Sequence, residues 1–404
     1  MHHVLRHGSV DRQRFSLQSL LDLAVQVSSK GNDKSERGRV GRFLLECVAD
    51  RLAVQEARLS RWGMQSCNGS DSSNVIRTSN YHVPIWKQPE KRSNTWHTNG
   101  LPGARKRLET LQWIHTDTLR ACREILQLSA AKADPYLLPT LTQVQARHAR
   151  TVETLAELVV ENLRPYDKLD RIDLNVFLHD RLGIQLLCEH YMEIAKGKRY
   201  GTIDYQRPVA DALLDAMGEA NILAQAYFEH VPEMKLVQDC SSDTTAATPI
   251  QATFVGSWLH YVLVEILKNA ITATAKHHHA SSMNPTMPTN DALLPPVTLT
   301  CGQDETITWI AIDDRGPGIS TPIMDSFCFA QTNKIWDRME EQTTYAMVRS
   351  PLQGLGVGLS LSTVMMQYFG GTLYLQRRND GHVGTRAYLG LPRDLTLLEE
   401  TQPE

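Results

Sequence analysis

The sequence lacks three features, each of which would point to a particular class of protein. No apolar run approaches the roughly 18 residues needed to cross a bilayer, which argues against a membrane-spanning helix. No Cys-x-x-Cys pair occurs among the 7 cysteines, so isolated thiols in a reducing compartment are favoured over a disulfide framework or a zinc site. A formal net charge of −3 argues against general nucleic-acid binding. The composition, 42% hydrophobic and 22% charged, is typical of a globular protein, and 404 residues suit two domains.

The first 14 residues are basic, with Arg6, Arg12 and Arg14 against one acid, Asp11. Two interpretations of residues 1–14 stay open: a short organelle-targeting segment, or a plain basic arm before the first helix. A secretory signal is disfavoured because no continuous apolar stretch follows the arginines.

The first half of the chain has the apolar spacing of amphipathic helices. The predicted helical segments are 15–62 (with a break at 28–38), 103–128, 139–163, 169–195 and 209–231. Several long helices with apolar stripes and short links predict a helical bundle over 15–231. Residues 64–100 have no periodicity and are rich in Ser, Asn, Gly, Pro and Thr, which predicts an exposed insertion.

The segment 257–276 is also predicted to be one helix, on which two polar residues interrupt an apolar pattern. Glu265 and Asn269 are one helical turn apart and project from the same side, with Tyr261 and Thr272 near the same stripe. Taken alone, the two side chains fit a satisfied polar pair at a core edge. They also fit a site in which the amide oxygen holds a metal and the carboxylate takes a proton.

Strands and glycine-rich turns follow this helix. Residues 277–296 are polar and proline-rich, so a solvated loop is favoured over a metal site for their three histidines. The segment 297–314 predicts two strands around a turn, with Thr308, Ile310 and Ile312 on one face of the second strand. The mixed polarity of 320–353 predicts a mobile cover. A terminal pair of strands is expected around Gly384 and Thr385.

Two turns in this half are suited to a flat ligand and to an anion. Asp314 ends a predicted strand and precedes Gly316 and Gly318, which permit a close backbone approach, while its carboxylate can accept from an exocyclic amine. The glycines of 354–359 open a helix, whose N-terminal amides and dipole favour an anion. No Lys-Ser or Lys-Thr follows, as a Walker A loop requires, and no strand leads directly into the turn, as a Rossmann motif requires.

Taken in order, these segments resemble the nucleotide-binding boxes of the ATPase fold shared by histidine kinases, heat-shock protein 90, type II topoisomerases and MutL. The matching residues are Glu265-Ile-Leu-Lys-Asn269-Ala, Asp314-Arg-Gly-Pro-Gly318, Gly354-Leu-Gly-Val-Gly358-Leu and Gly384-Thr385. In the helical half, five segments resemble mitochondrial 2-oxoacid dehydrogenase kinases: Phe43–Leu59, Trp113–Leu119, Arg147–Glu157, Leu169–Arg171 and Asp180–His190. The resemblance covers about 15–63 and 103–395.

The resemblance implies a two-domain α+β fold. A helical regulatory or partner-binding domain would span 15–231, followed over 232–395 by a GHKL-type α/β sandwich, a mixed sheet with helices on one face. The kinase domain would include a loop insertion at 277–296 and an ATP lid at 320–353, and residues 396–404 would form a tail.

The resemblance also implies the site residues, with ATP and Mg²⁺ as cofactors. Asn269 would bind Mg²⁺, Glu265 would deprotonate a substrate serine, and Asp314 would accept from the adenine amino group, with Thr385 below the base. Lys268 is a second candidate catalytic residue, which would help with phosphate; a solvated helix lysine is the alternative. The full implied set is Glu265, Asn269, Thr272, Asp314, Gly316, Gly318, Gly354, Leu355, Gly356, Val357, Gly358, Leu359 and Thr385.

The implied function is a serine kinase of the mitochondrial matrix that shuts down a pyruvate or branched-chain 2-oxoacid dehydrogenase complex. Its implied partners are the decarboxylase component as substrate, a lipoyl domain as docking partner and a second copy in a homodimer, with no nucleic acid. The terminal residues lack the tail ending in Asp-Trp of pyruvate dehydrogenase kinases, and 181–184 also points mildly to the branched-chain kinase.

One position departs from the pattern of pyruvate dehydrogenase kinases. They typically place a histidine four residues before the glutamate, where this chain has Tyr261. His260 lies roughly 140° around the helix from Glu265, so we expect it to face elsewhere.

Two other functions remain as alternatives. A two-component-type histidine kinase normally needs a His-Glu-x-x-x-Pro phosphoacceptor motif, and the residues after His148 contain neither that glutamate nor that proline. His148 lies on an apolar helix face, which favours a core histidine. A nucleotide-binding regulator of the same fold without phosphotransfer is the other alternative, because Tyr261 replaces the expected histidine.

Overall fold

The computed structural model describes residues 13–30, 33–67, 104–155, 171–238, 249–282, 294–319 and 358–399. The chain divides into two compact units, one of residues 1–150 with 183–201 and the other of 151–182 with 202–404. In the ranges just given, no helix is both long enough and apolar enough to span a membrane.

The first unit is helical. Ser16 begins its first helix with a capping box, in which its side chain accepts from the amide of Ser19 and the Ser19 side chain accepts in return. The second helix packs against the third and fourth around a core of leucine, valine and alanine. The helices are α1 (Leu17–Ser29), α2 (Lys34–Cys67), α3 (Ala104–Gln127), α4 (Ala130–His148) and the 183–195 part of α5 (Arg171–Ala195).

The predicted helices of this half are confirmed, but with different ends. Helix α4 begins at Ala130 rather than 139 and ends at His148, and a turn separates it from helical residues 151–155. The rest of the helix predicted over 139–163, residues 156–163, lies outside the described residues. Pro135 and Pro139 lie inside it, each without an amide hydrogen. The helix continues past them because its apolar stripe is buried. Helix α2 runs to Cys67, so the predicted insertion at 64–100 starts too early, and 68–100 lies outside the described residues.

The second unit is built on a mixed sheet. In chain order its elements are β1 (Ile203–Pro208), α6 (Val209–Gln225), β2 (Met234–Gln238), β3 (Gln251–Val255), α7 (Gly256–Ser282), β4 (Val297–Gln303), β5 (Ile307–Asp313), α8 (Gly358–Gln367), β6 (Thr372–Arg377) and β7 (Thr385–Pro392). The five strands of the sheet have the order β2-β4-β5-β7-β6, with β2 parallel to β4 and the other neighbours antiparallel. Strands β1 and β3 form a separate antiparallel pair, and helices α7 and α8 pack on the larger sheet.

This architecture confirms the predicted α+β fold and the β4–β5 and β6–β7 strand pairs. Strands β1, β2 and β3 were not predicted, because each is short and their partners are distant in sequence. Helix α6 ends at Gln225 rather than 231, since turns follow before Pro232. The predicted domain boundary after residue 231 differs from the observed division: residues 202–231 belong to the unit of the sheet, where α6 packs against α7.

The loop predicted over 277–296 begins too early. Helix α7 continues to Ser282, and His277 and His278 lie on its last turns with their rings 5.2 Å apart. His278 Nε2 lies 3.2 Å from the carbonyl oxygen of Arg315, so this histidine contacts the protein rather than extending into solvent. The lid predicted at 320–353 lies outside the described residues.

Candidate ATP-binding site

Helix α7 forms one wall of the site. Glu265 and Lys268 are three residues apart, and Lys268 Nζ donates to Glu265 Oε1 at 2.5 Å. Their side chains are 17% and 8% exposed, so the ion pair is largely removed from water. The interpretation of Lys268 as a solvated lysine is therefore wrong. Asn269, one turn after Glu265, is exposed and leaves its amide available to a ligand.

The N-terminus of α8 meets the Glu265 carboxylate. A Cβ atom on Gly358, the first residue of α8, would lie 2.3 Å from Glu265 Oε2. Only glycine therefore allows this approach without moving the carboxylate. The positive end of the α8 dipole and the Lys268 ammonium both favour a negative charge at this point.

Asp314 is held immediately after β5 by backbone amides. Its Oδ1 accepts from the amides of Gly316 at 2.9 Å and Thr385 at 2.8 Å, so β7 helps to orient the carboxylate. Burial raises the pKa of Asp314, and these hydrogen bonds oppose that rise only in part. A carboxylate has about four acceptor positions, which leaves capacity for a ligand donor.

The turn after Asp314 lies directly against α7. A Cβ on Gly316 would lie 2.7 Å from the Cβ of Ala273, and the amide of Arg315 donates to Thr274 Oγ1 at 3.0 Å. Gly318 has φ +76°, in the left-handed region that glycine adopts without strain. These contacts bring the acidic turn beside the helix that carries Glu265.

The residues that precede Glu265 do not replace the expected histidine. His260 Nε2 lies 2.7 Å from Glu219 Oε2 on α6, which confirms that His260 does not face Glu265. Burial, and then the charge of Glu265, raise the pKa of the Tyr261 hydroxyl above its usual value. Tyr261 therefore stays protonated near the carboxylate and is not a proton acceptor.

The remaining predicted residues are partly described. Thr272 Oγ1 is buried and has no hydrogen-bond partner among the described residues, which leaves its hydrogen-bonding capacity unused. The exposed Asn269 amide supplies an oxygen of the kind that Mg²⁺ prefers. The described residues therefore fit a magnesium nucleotide. Leu359 is half-buried on α8, whereas residues 354–357 lie outside the described ranges.

Four charged residues beside Asp314 were not predicted as part of the site: Asp313, Arg378, Asp380 and Arg386. Strand pairing places Arg386 opposite Asp313, and Arg378 reaches the backbone of Asp314. The sequence signal was weak, since an acid followed by another acid and two arginines near a turn also fit a solvated surface.

His148 is a core histidine, as its apolar helix face indicated. It is fully buried, its Nε2 lies 3.2 Å from Thr118 Oγ1, and its ring makes an edge contact with His115 at 4.5 Å. A phosphoacceptor histidine must be reached by the γ-phosphate of ATP, and His148 is not accessible in this way.

Two family models match different parts of the chain. Residues 255–395 match the model described as "Histidine kinase-, DNA gyrase B-, and HSP90-like ATPase". This span contains α7, Asp314, α8 and Thr385, so the part of the second unit that carries the site matches an ATP-binding domain of that class. Residues 103–210 match the model "Mitochondrial branched-chain alpha-ketoacid dehydrogenase kinase".

Similar curated proteins carry one kind of name. A mitochondrial pyruvate dehydrogenase (acetyl-transferring) kinase of Ascaris suum is 28% identical over 269 residues, which are 62% of this chain and 63% of that protein. A probable kinase of the same name from Caenorhabditis elegans is 30% identical over 264 residues, 62% and 61% of the two chains. Isozyme 4 of the mitochondrial pyruvate dehydrogenase (acetyl-transferring) kinase of Rhinolophus ferrumequinum is 26% identical over 293 residues, which are 68% of this chain and 67% of that protein.

The chain thus spans roughly three fifths to two thirds of the length of these relatives. The two models and the relatives thus make the chain similar to mitochondrial 2-oxoacid dehydrogenase kinases, with residues 255–395 similar to a GHKL-type ATP-binding domain.

Proposed function

We propose that this protein is an ATP-dependent serine kinase of the mitochondrial matrix. It phosphorylates and thereby inactivates the decarboxylase component of a 2-oxoacid dehydrogenase complex. The observation that supports this most directly is the position of the Glu265 carboxylate, which contacts Lys268 and the first residue of α8. A carboxylate held between a lysine and a helix N-terminus, beside a nucleotide-binding turn, is suited to phosphoryl transfer.

In the proposed mechanism, Asp314 selects the base. Its carboxylate accepts from the adenine amino group, Gly316 and Gly318 let the backbone approach the ring, and Thr385 lies below it. Asn269 would hold Mg²⁺, which would supply positive charge against the phosphates. Thr272 Oγ1, which lacks a partner among the described residues, donates to the nucleotide.

Glu265 is the proposed general base, which takes the proton of the substrate serine hydroxyl. The γ-phosphoryl group bonds to that oxygen as its bond to the β–γ bridging oxygen breaks, and ADP is the leaving group. Lys268 now occupies Oε1 of this carboxylate. When a nucleotide binds, its phosphates compete for the Lys268 ammonium and leave Oε1 open to the serine hydroxyl. Lys268 would thus respond to the nucleotide and make the base available only when ATP is bound.

The family model and the relatives are named for different target complexes. The model over 103–210 is named for the branched-chain complex, whereas the relatives are named for pyruvate dehydrogenase. Relatives named as mitochondrial support the mitochondrial location. Docking to a lipoyl domain and assembly as a homodimer belong to the same proposal.

A phosphorylation assay on purified pyruvate and branched-chain complexes tests the function. Incubation with labelled ATP should label serine of one decarboxylase component and lower the activity of that complex in parallel. The matched control is the same incubation with the protein carrying Asp314→Asn, which should label the decarboxylase component much less when the ATP concentration is near the wild-type Kd. If both complexes stay unlabelled and active, the proposed function is wrong.

A nucleotide-binding regulator without phosphotransfer is a second candidate, favoured by Tyr261 at the position of the expected histidine and by the Lys268 contact to Glu265. ATP binding with no transfer to either complex would support this candidate. Acid-labile autophosphorylation would instead support a histidine kinase, against which the burial of His148 argues.

A further inference from the structure

A ring of alternating charges lies next to the adenine-recognition turn. Arg386 Nε and Nη2 donate to the two carboxylate oxygens of Asp313 at 2.6 and 2.7 Å. Arg378 Nε donates to Asp380 Oδ1 at 3.1 Å, and its Nη2 lies 3.9 Å from Asp313 Oδ2. Arg386 Nη2 lies 3.8 Å from Asp380 Oδ2, which closes the ring. Each arginine therefore contacts both carboxylates.

Arg378 also contacts the nucleotide site directly. Its side chain is only 6% exposed, and Nη1 donates to the carbonyl oxygen of Asp314 at 3.2 Å. Its own amide donates to the carbonyl of Gly384 at 3.0 Å. Gly384 lies so close that a Cβ there would be 2.2 Å from the Asp314 carbonyl oxygen. Arg378 thus fixes the end of the β6–β7 hairpin against Asp314.

The hairpin in turn sets the direction of the Asp314 side chain. The amide of Asp314 donates to the carbonyl of Thr385 at 2.9 Å, and the amide of Thr385 donates back to Asp314 Oδ1 at 2.8 Å. Any movement of the hairpin therefore turns the carboxylate. The turn from 314 to 318 contributes the amide of Gly316 to the same oxygen, and the amide of Thr385 on the hairpin adds a second backbone donor.

We propose that Arg378, held by Asp313 and Asp380, is a positioning residue for base selection: it keeps the Asp314 carboxylate where it accepts a 6-amino purine and rejects a 6-oxo purine. An ionised carboxylate is only an acceptor, so it bonds an amino group and is repelled by a carbonyl oxygen. The preference for a 6-amino purine therefore depends on the positions of the two carboxylate oxygens of Asp314. The proposal rests on the proposed binding of ATP at Asp314.

Direct titration of the intact protein with ATP and with inosine triphosphate tests the proposal without any kinase assay. The wild type should bind ATP more tightly than inosine triphosphate. Arg378→Met should weaken ATP binding about tenfold while changing the affinity for inosine triphosphate much less, so the ratio of the two Kd values shrinks. Arg378→Lys, which restores one donor, should recover part of the ratio.

Arg393→Met is the matched control. Arg393 Nη1 also donates to a backbone carbonyl, that of Asp304 at 2.5 Å, but at the far end of the same sheet. Its replacement should leave both affinities unchanged. Where Arg378→Met does not fold, Asp380→Asn at the exposed corner of the ring should shrink the same ratio to a smaller extent.

The outcomes separate the two proposals. A wild type that binds neither nucleotide overturns the proposed function itself. A wild type selective for ATP whose Arg378→Met and Asp380→Asn variants keep the full selectivity overturns only the role of Arg378. A fall in Tm with an unchanged ratio of Kd values would also overturn the role of Arg378, because it would show that Arg378 contributes only to stability.

Discussion

Gly358→Ala is expected to lower kcat without lowering the free energy of unfolding. The added Cβ would lie 2.3, 3.0 and 3.4 Å from Oε2, Cδ and Cγ of Glu265. Ordinary contacts between such atoms need about 3.5 Å, so the carboxylate has to move by about 1 Å. Because these atoms are at the end of a flexible side chain, Glu265 moves and α8 does not have to.

The size of the effect follows from this displacement. Misplacement of a catalytic group by about 1 Å costs roughly 100-fold in rate, or about 2.7 kcal/mol of activation free energy. Gly358 is at the first position of α8, where helix propensity has little effect, and turning one flexible side chain costs little stability. We therefore expect kcat to fall about 100-fold while the free energy of unfolding stays near the wild-type value.

Single-turnover transfer of label to the decarboxylase component measures the first quantity, and denaturant unfolding measures the second. Gly218→Ala is the matched control, since Gly218 lies inside α6 and a Cβ there meets nothing within 4 Å. It should gain stability at unchanged kcat. A Gly358→Ala variant with wild-type kcat would refute the assignment of Glu265 as the base beside α8.

Three further predictions concern single side chains. Asp314→Asn should raise the Kd for ATP at least about tenfold in calorimetry. Stability at neutral pH should not fall, because a neutral amide costs less to bury than an ionised carboxylate, and that cost of burial is what raises the pKa of Asp314. Lys268→Met should lower the free energy of unfolding by about 1–3 kcal/mol by leaving the Glu265 carboxylate without its partner, and adding Glu265→Gln should restore part of it. His190 is buried with its Nε2 donating to the Leu20 carbonyl at 3.0 Å, and burial lowers its pKa to about 4. Its unfolded form takes a proton near pH 6.5 and its folded form does not, so stability should fall by about 1.4 kcal/mol per pH unit between pH 6.5 and 4. The Tm of His190→Gln should depend less on pH over that window, and an equal dependence would contradict this assignment.

The parts of the site that could be predicted are those that short stretches of sequence determine. The spacing of Glu265 and Asn269 on one helix and the glycines after Asp314 each follow from backbone geometry over a few residues. The four glycine-rich or acidic segments then carried the resemblance as a set. What the local pattern could not indicate is which side chains become buried.

Lys268 is an example of a side chain whose burial the local pattern does not predict. Its spacing from Glu265 allowed an ion pair, but its burial depends on helices and strands far along the chain. The contact of Gly358 with Glu265 joins residues from α7 and α8, and the ring around Arg378 needs the pairing of β5 with β7. Non-local strand pairing also explains why β1 and β3 were missed.

In the proposed mechanism, Glu265 accepts a proton in a site that binds ATP independently of it. Glu265→Gln tests this directly when ATP binding and serine labelling are measured on the same preparation. We expect a Kd for ATP within about threefold of the wild type and labelling of the decarboxylase component reduced by at least about 100-fold. A variant that labels the serine at the wild-type rate while binding ATP normally would contradict it.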